Sequence, residues 1–350
     1  MKQVTVAVPV PLRRLFDYAV PEAMASQLQP GQRVKVPFAR RELIGVVVGA
    51  VVDSGRDEPA PAYEIKPVTA LLDTAPLLSA VLLALCRSTA DYDLHPLGEV
   101  FAAALPGPLR RGEQPAIRPP EGLQLTAAGR AALPDVPARS QAMRALLTML
   151  EPGASNAASV RARLPNAAAA IKRALEAGWI ERCADGGIPR TLEPSLPLTA
   201  LQAEVLAALE TGIGRFGISL LEGVTGSGKT ELYLRLTETV LAAGGQVLVL
   251  APEIGLTPQL AARFKARFGD GVASFHSGLG EAERARHWLA AGAGEARIVV
   301  GTRSAVFVPM PRLQLVIIDE EHDGSYKQQD GLRYHARDVA IVRARDAGAA

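Results

Sequence analysis

Residues Gly223-Val224-Thr225-Gly226-Ser227-Gly228-Lys229-Thr230 spell a complete G-x-x-x-x-G-K-[ST] loop, a pattern that few folds accommodate. Before it, Ile218–Glu222 is a short apolar run that reads as a buried strand. After it, Leu232, Leu236, Val240 and Leu241 recur at helical spacing. In a strand–loop–helix of this kind, glycines let successive backbone N–H groups turn inward at a helix N-terminus, whose partial positive charge favours phosphate. Lys229 is then expected to reach the β- and γ-phosphates of a nucleotide, and the Thr230 hydroxyl to ligate Mg²⁺.

A second motif lies downstream. Leu315-Val316-Ile317-Ile318-Asp319-Glu320-Glu321-His322 is a hydrophobic strand ending in acids. Asp319 is the acid expected to hold Mg²⁺, mostly through water. Glu320 is placed to orient and deprotonate an attacking water. An acidic strand end by itself is usually a solvated terminus. Following Lys229 and Thr230 in this order, it identifies an NTP hydrolase, and it weakens a kinase reading, because a kinase needs no second acid poised on water. Between and beside the two motifs, Gln246–Ala251, Ala273–His276, Arg297–Thr302 and Leu313–Asp319 are apolar runs suited to strands buried on both faces. Helical segments near Thr257–Phe268 and Glu281–Ala291 separate them. The expected fold class is α/β, a parallel sheet forming a RecA-like P-loop lobe over residues 191–350.

A chain of 350 residues has room for two or three domains, and 48% apolar composition can fill their cores. Residues 2 to about 53 are rich in β-branched types and turns, a small β-unit. Leu77–Ala90 reads as a helix, a second helical stretch runs to Leu105, and Pro106-Gly107-Pro108 closes the unit. Residues 107–122, with Arg110, Arg111, Gly112 and Pro115, read as a linker. Residues 123–190 read as helices over Arg139–Leu150, Ala157–Leu164 and Asn166–Ala177, with Asn166 as N-cap, then a strand over Gly178–Cys183 and a turn at 184–187. That is the order of a winged helix, a module that touches DNA or docks proteins; composition does not choose between them. Near the front, Phe16, Asp17 and Tyr18 form an aromatic–acid–aromatic cluster beside Arg13 and Arg14. It reads either as an ordinary strand with a buried aromatic or as a surface on which bases stack.

The formal net charge of +2 is compatible with nucleic acid without arguing for it. Two distant cysteines, Cys86 and Cys183, read as reduced thiols and exclude a zinc site built on cysteine. The N-terminus reads as a strand rather than a leader, and the most apolar stretch, Leu77–Cys86, is too short to span a bilayer. A soluble, cytoplasmic protein with no membrane partner is expected.

Together with both motifs, Ala251–Gln259, Phe275–Leu279 and Gly301–Ala305 resemble the PriA family, the primosomal replication-restart helicases of superfamily 2. The run Ser325–Asp338 is similar to that family's aromatic-rich loop, thought to couple DNA binding to ATP hydrolysis. Phe16-Asp17-Tyr18 is similar to its pocket for the 3′ end of a nascent strand. The resemblance covers essentially the whole chain. It implies an ATP- and Mg²⁺-dependent 3′→5′ DNA helicase or translocase that recognises stalled forks and starts primosome assembly. Implied partners are forked and single-stranded DNA with 3′ ends, single-stranded DNA-binding protein and other primosome proteins.

Residue by residue, the resemblance implies that Gly223, Val224, Thr225, Gly226, Ser227, Gly228, Lys229 and Thr230 bind the nucleotide, and that Gln202 reads adenine. Lys229, Asp319 and Glu320 are the expected catalytic residues, and Thr230 and Asp319 the Mg²⁺ ligands. Phe16, Asp17, Tyr18, Arg303, Tyr326 and Tyr334 are expected to face DNA, with Asp17 accepting a bond from the terminal 3′-hydroxyl. His322 is expected to link the ATP and DNA sites. Leu332 stands where the family's loop usually has Trp, so stacking there rests on Tyr326 and Tyr334. The family continues into a third helicase motif, a cysteine-rich zinc segment and a second RecA-like lobe, which are not in these 350 residues. The expectation is therefore a truncated reading frame, a 1–106 domain that binds 3′ DNA ends, and a lobe that hydrolyses ATP very slowly. A passive DNA-fork-binding module is the alternative. The missing motif also implies an unpaired strand edge beside the Asp319 strand.

Overall fold

Alternating valines in the first fifty residues build an antiparallel sheet. Its strands are β1 (Lys2–Ala7), β2 (Phe16–Ala19), β3 (Arg33–Phe38), β4 (Arg41–Val47), β5 (Val52–Asp53) and β6 (Ala70–Leu71), with a one-turn helix α1 (Glu22–Ala25) after β2. The order is β2-β1-β4-β3-β6, with β5 added to β1. Side-chain alternation turns Val4, Val6, Val34 and Val36 into one core with Tyr18 and Val47. The computed structural model describes residues 2–53, 65–114, 122–183 (except 138, 152, 154, 158, 159, 162, 163 and 165), 195–252 (except 225) and 257–350. They divide into two units: Met1–Pro115, Leu196–Ala261 and Ala273–Ala350 form one, and Ala116–Ser195 with Ala262–Val272 form the other.

Three helices follow the first sheet: α2 (Ala80–Tyr92), α3 (Leu97–Ala104) and α4 (Gly107–Arg110). Ser79 caps α2 by accepting from the Leu82 N–H, and Gly98 lets α3 lie against β1's end, where a Cβ would fall 1.8 Å from the Val8 carbonyl oxygen. Helix α4 corrects the expected linker over residues 107–110. Its Gly107, Pro108 and Leu109 are buried, because prolines here start a helical turn rather than loosen the chain. The same turn is tied back to β3. The fully buried Arg33 guanidinium pairs with Asp73 at 2.7 Å and donates to the Leu109 carbonyl at 2.6 Å.

The second unit holds β7 (Gly122–Leu125), α5 (Ala127–Ala132), α6 (Gln141–Leu150), β8 (Ser155–Asn156), α7 (Ala167–Glu176) and β9 (Ile180–Cys183). Its strands pair antiparallel in the order β8-β7-β9 over a core of Leu123, Leu146, Leu147, Leu150, Ile171 and Ile180. Helices α6 and α7 and strand β9 follow the expected order. The expected turn at 184–187 and much of the expected helix at 157–164 lie outside the described residues. Asn166 precedes α7 in a left-handed conformation (φ 59°) with no side-chain cap hydrogen bond, so it turns the chain rather than capping it.

The rest of the first unit is an α/β lobe: α8 (Ala200–Glu210), α9 (Lys229–Ala242), β10 (Gln246–Leu250), the first residues of α10 (Thr257–Phe268, which passes into the second unit at Ala262), β11 (Val272–Phe275), α11 (Glu281–Gly292), β12 (Ile298–Gly301), β13 (Leu313–Ile318) and α12 (Ala336–Ala347). The sheet order is β11-β12-β10-β13, with β10 parallel to both β12 and β13. All five residues of β10 are buried, as a strand covered on both faces requires. The lobe and the N-terminal helices share one core in which Leu85, Phe101 and Leu109 pack with Leu248, Trp288 and Phe307. The Trp288 indole N–H donates to the Ala104 carbonyl at 3.1 Å.

One expected strand is not formed. Ile218–Glu222 joins no sheet, and Ile218 and Leu220 are 68% and 69% exposed. A groove of about 510 Å³, lined by Ile218, Leu220, Leu315 and Ile317 among others, separates this segment from β13. Its backbone therefore has no ladder to join, and apolar content alone does not bury a strand. The outer edge of β13 meets the last residue instead: Ala350 donates to Gln314 and accepts from Val316.

Candidate active site

The glycine loop runs into α9 through two backbone positions that only glycine adopts without strain, Gly226 (φ 84°) and Gly228 (φ 89°). Gly228 has a second constraint, since a Cβ there would lie 2.4 Å from the Gln202 amide nitrogen. Gly223, Val224 and Ser227 are exposed, Thr230 is half-buried in the first turn of α9, and Thr225 lies outside the described residues. The Lys229 ammonium donates to the Gly223 carbonyl at 3.1 Å and pairs with Glu320 Oε1 at 3.2 Å. The two motifs thus meet, as the sequence reading requires.

Gln202 also arrives at the loop, through a bond the sequence does not foretell. It closes a capping box on α8, accepting from the Thr199 N–H at 2.9 Å while its own N–H donates to Thr199 Oγ1 at 3.2 Å. Its amide nitrogen donates to the Ser227 carbonyl at 2.9 Å. Both ends of this side chain are engaged, so here it braces the loop.

Asp319 sits at the tip of β13 and is held from three sides. Its N–H donates to the Leu250 carbonyl at 2.9 Å. The Tyr326 hydroxyl donates to its carbonyl at 2.6 Å, and the Tyr233 hydroxyl to its Oδ1 at 3.2 Å. Burial pushes the Asp319 carboxyl above its usual range, and neighbouring Glu320 adds to this, while Tyr233 and Lys229 oppose it. Burial beside the two acids likewise raises the Tyr233 hydroxyl, which stays a protonated donor. Glu320 adopts φ 46°, a left-handed conformation that costs a non-glycine residue about 1–2 kcal/mol. Strain at a strand tip beside a charged partner is a recurrent mark of functional positions. His322 is exposed and stands 3.9 Å from Glu320 Oε2.

The donor set fits Mg²⁺ bound with a nucleotide. Thr230, Asp319 and Glu320 offer hard oxygens, and the half-buried Asp319 carboxylate, whose charge is disfavoured, gains from a cation. Mg²⁺ usually takes only one or two carboxylates plus phosphate oxygens and water. No cluster of three or more metal-ligating His, Cys, Asp or Glu occurs among the described residues.

Three residues expected on a DNA face are core residues in the structure. Tyr326 is fully buried with its hydroxyl on the Leu250 and Asp319 carbonyls. Tyr334 is 3% exposed and packs edge-on against Phe307 at 5.2 Å. Tyr18 is 4% exposed and donates to the Pro37 carbonyl. A ring enclosed on all sides offers no face to a base, so these aromatics pack and position. Phe16 and Asp17 remain accessible. Phe16 is half-buried against Phe38, with the Arg14 guanidinium 4.7 Å above its ring. Asp17 points to solvent and accepts from Thr5 Oγ1 at 2.8 Å. Arg303 donates to the Ser325 carbonyl at 3.0 Å, which fastens the 303 turn to the segment carrying Tyr326.

Tyr233 belongs to no motif and is not anticipated by the sequence reading. The available signal is its spacing, four residues after Lys229 on a helix, which places both on one face.

Known proteins resemble the chain along nearly its whole length. Residues 5–106 match the family model of the PriA 3′ DNA-binding domain, and residues 199–346 match that of the DEAD/DEAH box helicases. The replication restart protein PriA of Haemophilus influenzae is 40% identical over 98% of this chain and 47% of its own length. Its namesake in Bacillus subtilis is 31% identical over 95% of this chain and 50% of its own, and that of Treponema pallidum 32% over 97% and 41%. The chain spans about half the length of the curated relatives it matches. With matches to a 3′ DNA-binding domain and a DEAD/DEAH box helicase domain in that order, the chain is similar along nearly all its residues to the replication restart proteins PriA.

Proposed function

We propose that this chain carries the fork-recognising and nucleotide-binding half of an ATP-dependent DNA helicase that restarts replication. The observation that carries the reading is the convergence of Lys229, Glu320 and Asp319 at one cleft. In this reading the loop N–H groups and Lys229 hold the triphosphate, Thr230 and Asp319 orient its Mg²⁺, and Glu320 accepts a proton from the attacking water. Mg²⁺ supplies charge neutralisation for the transferring phosphoryl group. The Lys229–Glu320 pair gives the site two settings, with the lysine on the acid or on phosphate.

The N-terminal sheet binds the 3′ end of DNA, with exposed Asp17 accepting the terminal hydroxyl and Phe16 and Arg14 beside it. The second unit acts as a winged helix, its α7 carrying Lys172 and Arg173. Single-stranded DNA-binding protein and other primosome proteins are the proposed partners. The site of action is the cytoplasm; no helix among the described residues is long and apolar enough to cross a membrane.

ATP turnover, measured with and without forked DNA beside the Lys229→Ala variant, tests the reading. Slow, DNA-stimulated turnover abolished by the substitution supports a motor. Fork binding indifferent to Lys229, with no turnover to lose, supports the second reading of a passive binding module. The exposed Ile218–Glu222 segment favours that reading, because the strand that should anchor the loop is unpaired.

A further inference from the structure

We propose that Tyr233 is a positioning residue for the metal-holding acid, tying Asp319 to the helix that carries the phosphate and metal contacts. The inference rests on the nucleotide reading above. The geometry is specific. Tyr233 follows Lys229 by four residues and Thr230 by three, so all three share one stripe of α9. Its ring is 8% exposed and its hydroxyl lies 3.2 Å from Asp319 Oδ1.

A carboxylate at a strand tip can turn about its side-chain bonds. One oxygen fixed by a buried hydroxyl limits that freedom and leaves the other for a metal-bound water. Helix α9 would then set three things at once: the lysine on phosphate, the threonine on Mg²⁺ and the aim of the acid across from it. The backbone of Asp319 is already fixed, by Leu250 and by Tyr326. The neighbouring Glu320 N–H also bonds the carboxylate, and Tyr233 is the contact that ties it to α9. Groups that hold a metal ligand in place commonly change metal affinity when removed, even though they never touch the metal.

The test is Mg²⁺ titration of fluorescent ADP binding to the full chain and to Tyr233→Phe, each compared with binding in EDTA. Phenylalanine keeps the buried ring and removes one oxygen. The half-saturating Mg²⁺ concentration is expected to rise by about tenfold, with affinity in EDTA and the melting temperature of the nucleotide-free protein unchanged. An unchanged Mg²⁺ midpoint overturns the proposal, as does an equal loss of affinity with and without Mg²⁺, which would make Tyr233 merely structural. Should Tyr233→Phe fail to fold, Tyr233→Leu is read in the same way. If the unsubstituted chain binds no ADP under any condition, the nucleotide reading itself fails, a result separable from a normal wild-type titration with an indifferent variant.

Discussion

The Lys229 ammonium lies 3.2 Å from Glu320 Oε1, across the cleft between the start of α9 and the tip of β13. Each residue is the partner that the other's motif calls for, yet neither element is next to the other in the chain. The pair is partly exposed, at 22% and 39% of the two side chains, so it contributes about 0–1 kcal/mol to stability.

Lys229→Ala should therefore leave the melting temperature nearly unchanged while lowering nucleotide affinity. A charged hydrogen bond to phosphate is worth about 1.5–3 kcal/mol, or roughly 10–100-fold in Kd. Calorimetric melting and nucleotide titration on the same sample would check both halves.

The loop glycines should differ from one another. Gly226→Ala meets only backbone strain, because nothing lies within 4 Å of the added carbon. Gly228→Ala meets the same strain and a contact with the Gln202 amide at 2.4 Å. Strain alone costs about 1–2 kcal/mol. Gly228→Ala should lose more stability than Gly226→Ala in urea unfolding, and Gly228→Ala combined with Gln202→Ala should cost less than the two single changes added.

The Arg33–Asp73 pair should be the most sensitive polar contact in the N-terminal sheet. Its side chains are 1% and 8% exposed, and Asp73 also accepts from the Arg33 N–H at 2.7 Å. Asp73→Ala leaves a buried guanidinium without its counter-charge, which costs about 3–5 kcal/mol. Guanidinium-chloride unfolding should show this, and removing both partners together should cost less than the two single changes added.

The two cysteines should react at different rates. Cys86 is fully buried, and burial pushes its thiol up to about 12, with Arg343 opposing. The nucleophilic thiolate is thus scarce and enclosed at neutral pH. Cys183 is half-buried. A thiol-specific reagent should label Cys183 in the native protein and reach Cys86 only on unfolding. Cys183→Ser should abolish native labelling.

Motifs with local grammar were legible without coordinates. The glycine loop, α9, the buried run of β10 and the acidic end of β13 follow from spacing and side-chain type. Features set by distant partners were not. Ile218–Glu222 has the composition of a buried strand but no neighbour to pair with. Tyr326 and Tyr334 lie in a polar, aromatic-rich stretch that reads as surface, whereas the Leu250 and Asp319 carbonyls and Phe307 draw them inward. Residues 107–110 carry proline and glycine like a linker, yet Arg33 reaches the Leu109 carbonyl from β3. Strand β7 becomes identifiable only once β8 and β9 lie beside it.

In the proposed function, Lys229 and Asp319 serve one Mg²⁺-nucleotide site. Equilibrium binding of a fluorescent ATP analogue with Mg²⁺ to the unsubstituted chain, to Lys229→Ala and to Asp319→Ala tests it most directly. Binding should be saturable and weaken by about tenfold or more in each variant. Affinity equal in all three proteins, or none in the unsubstituted chain, would contradict it.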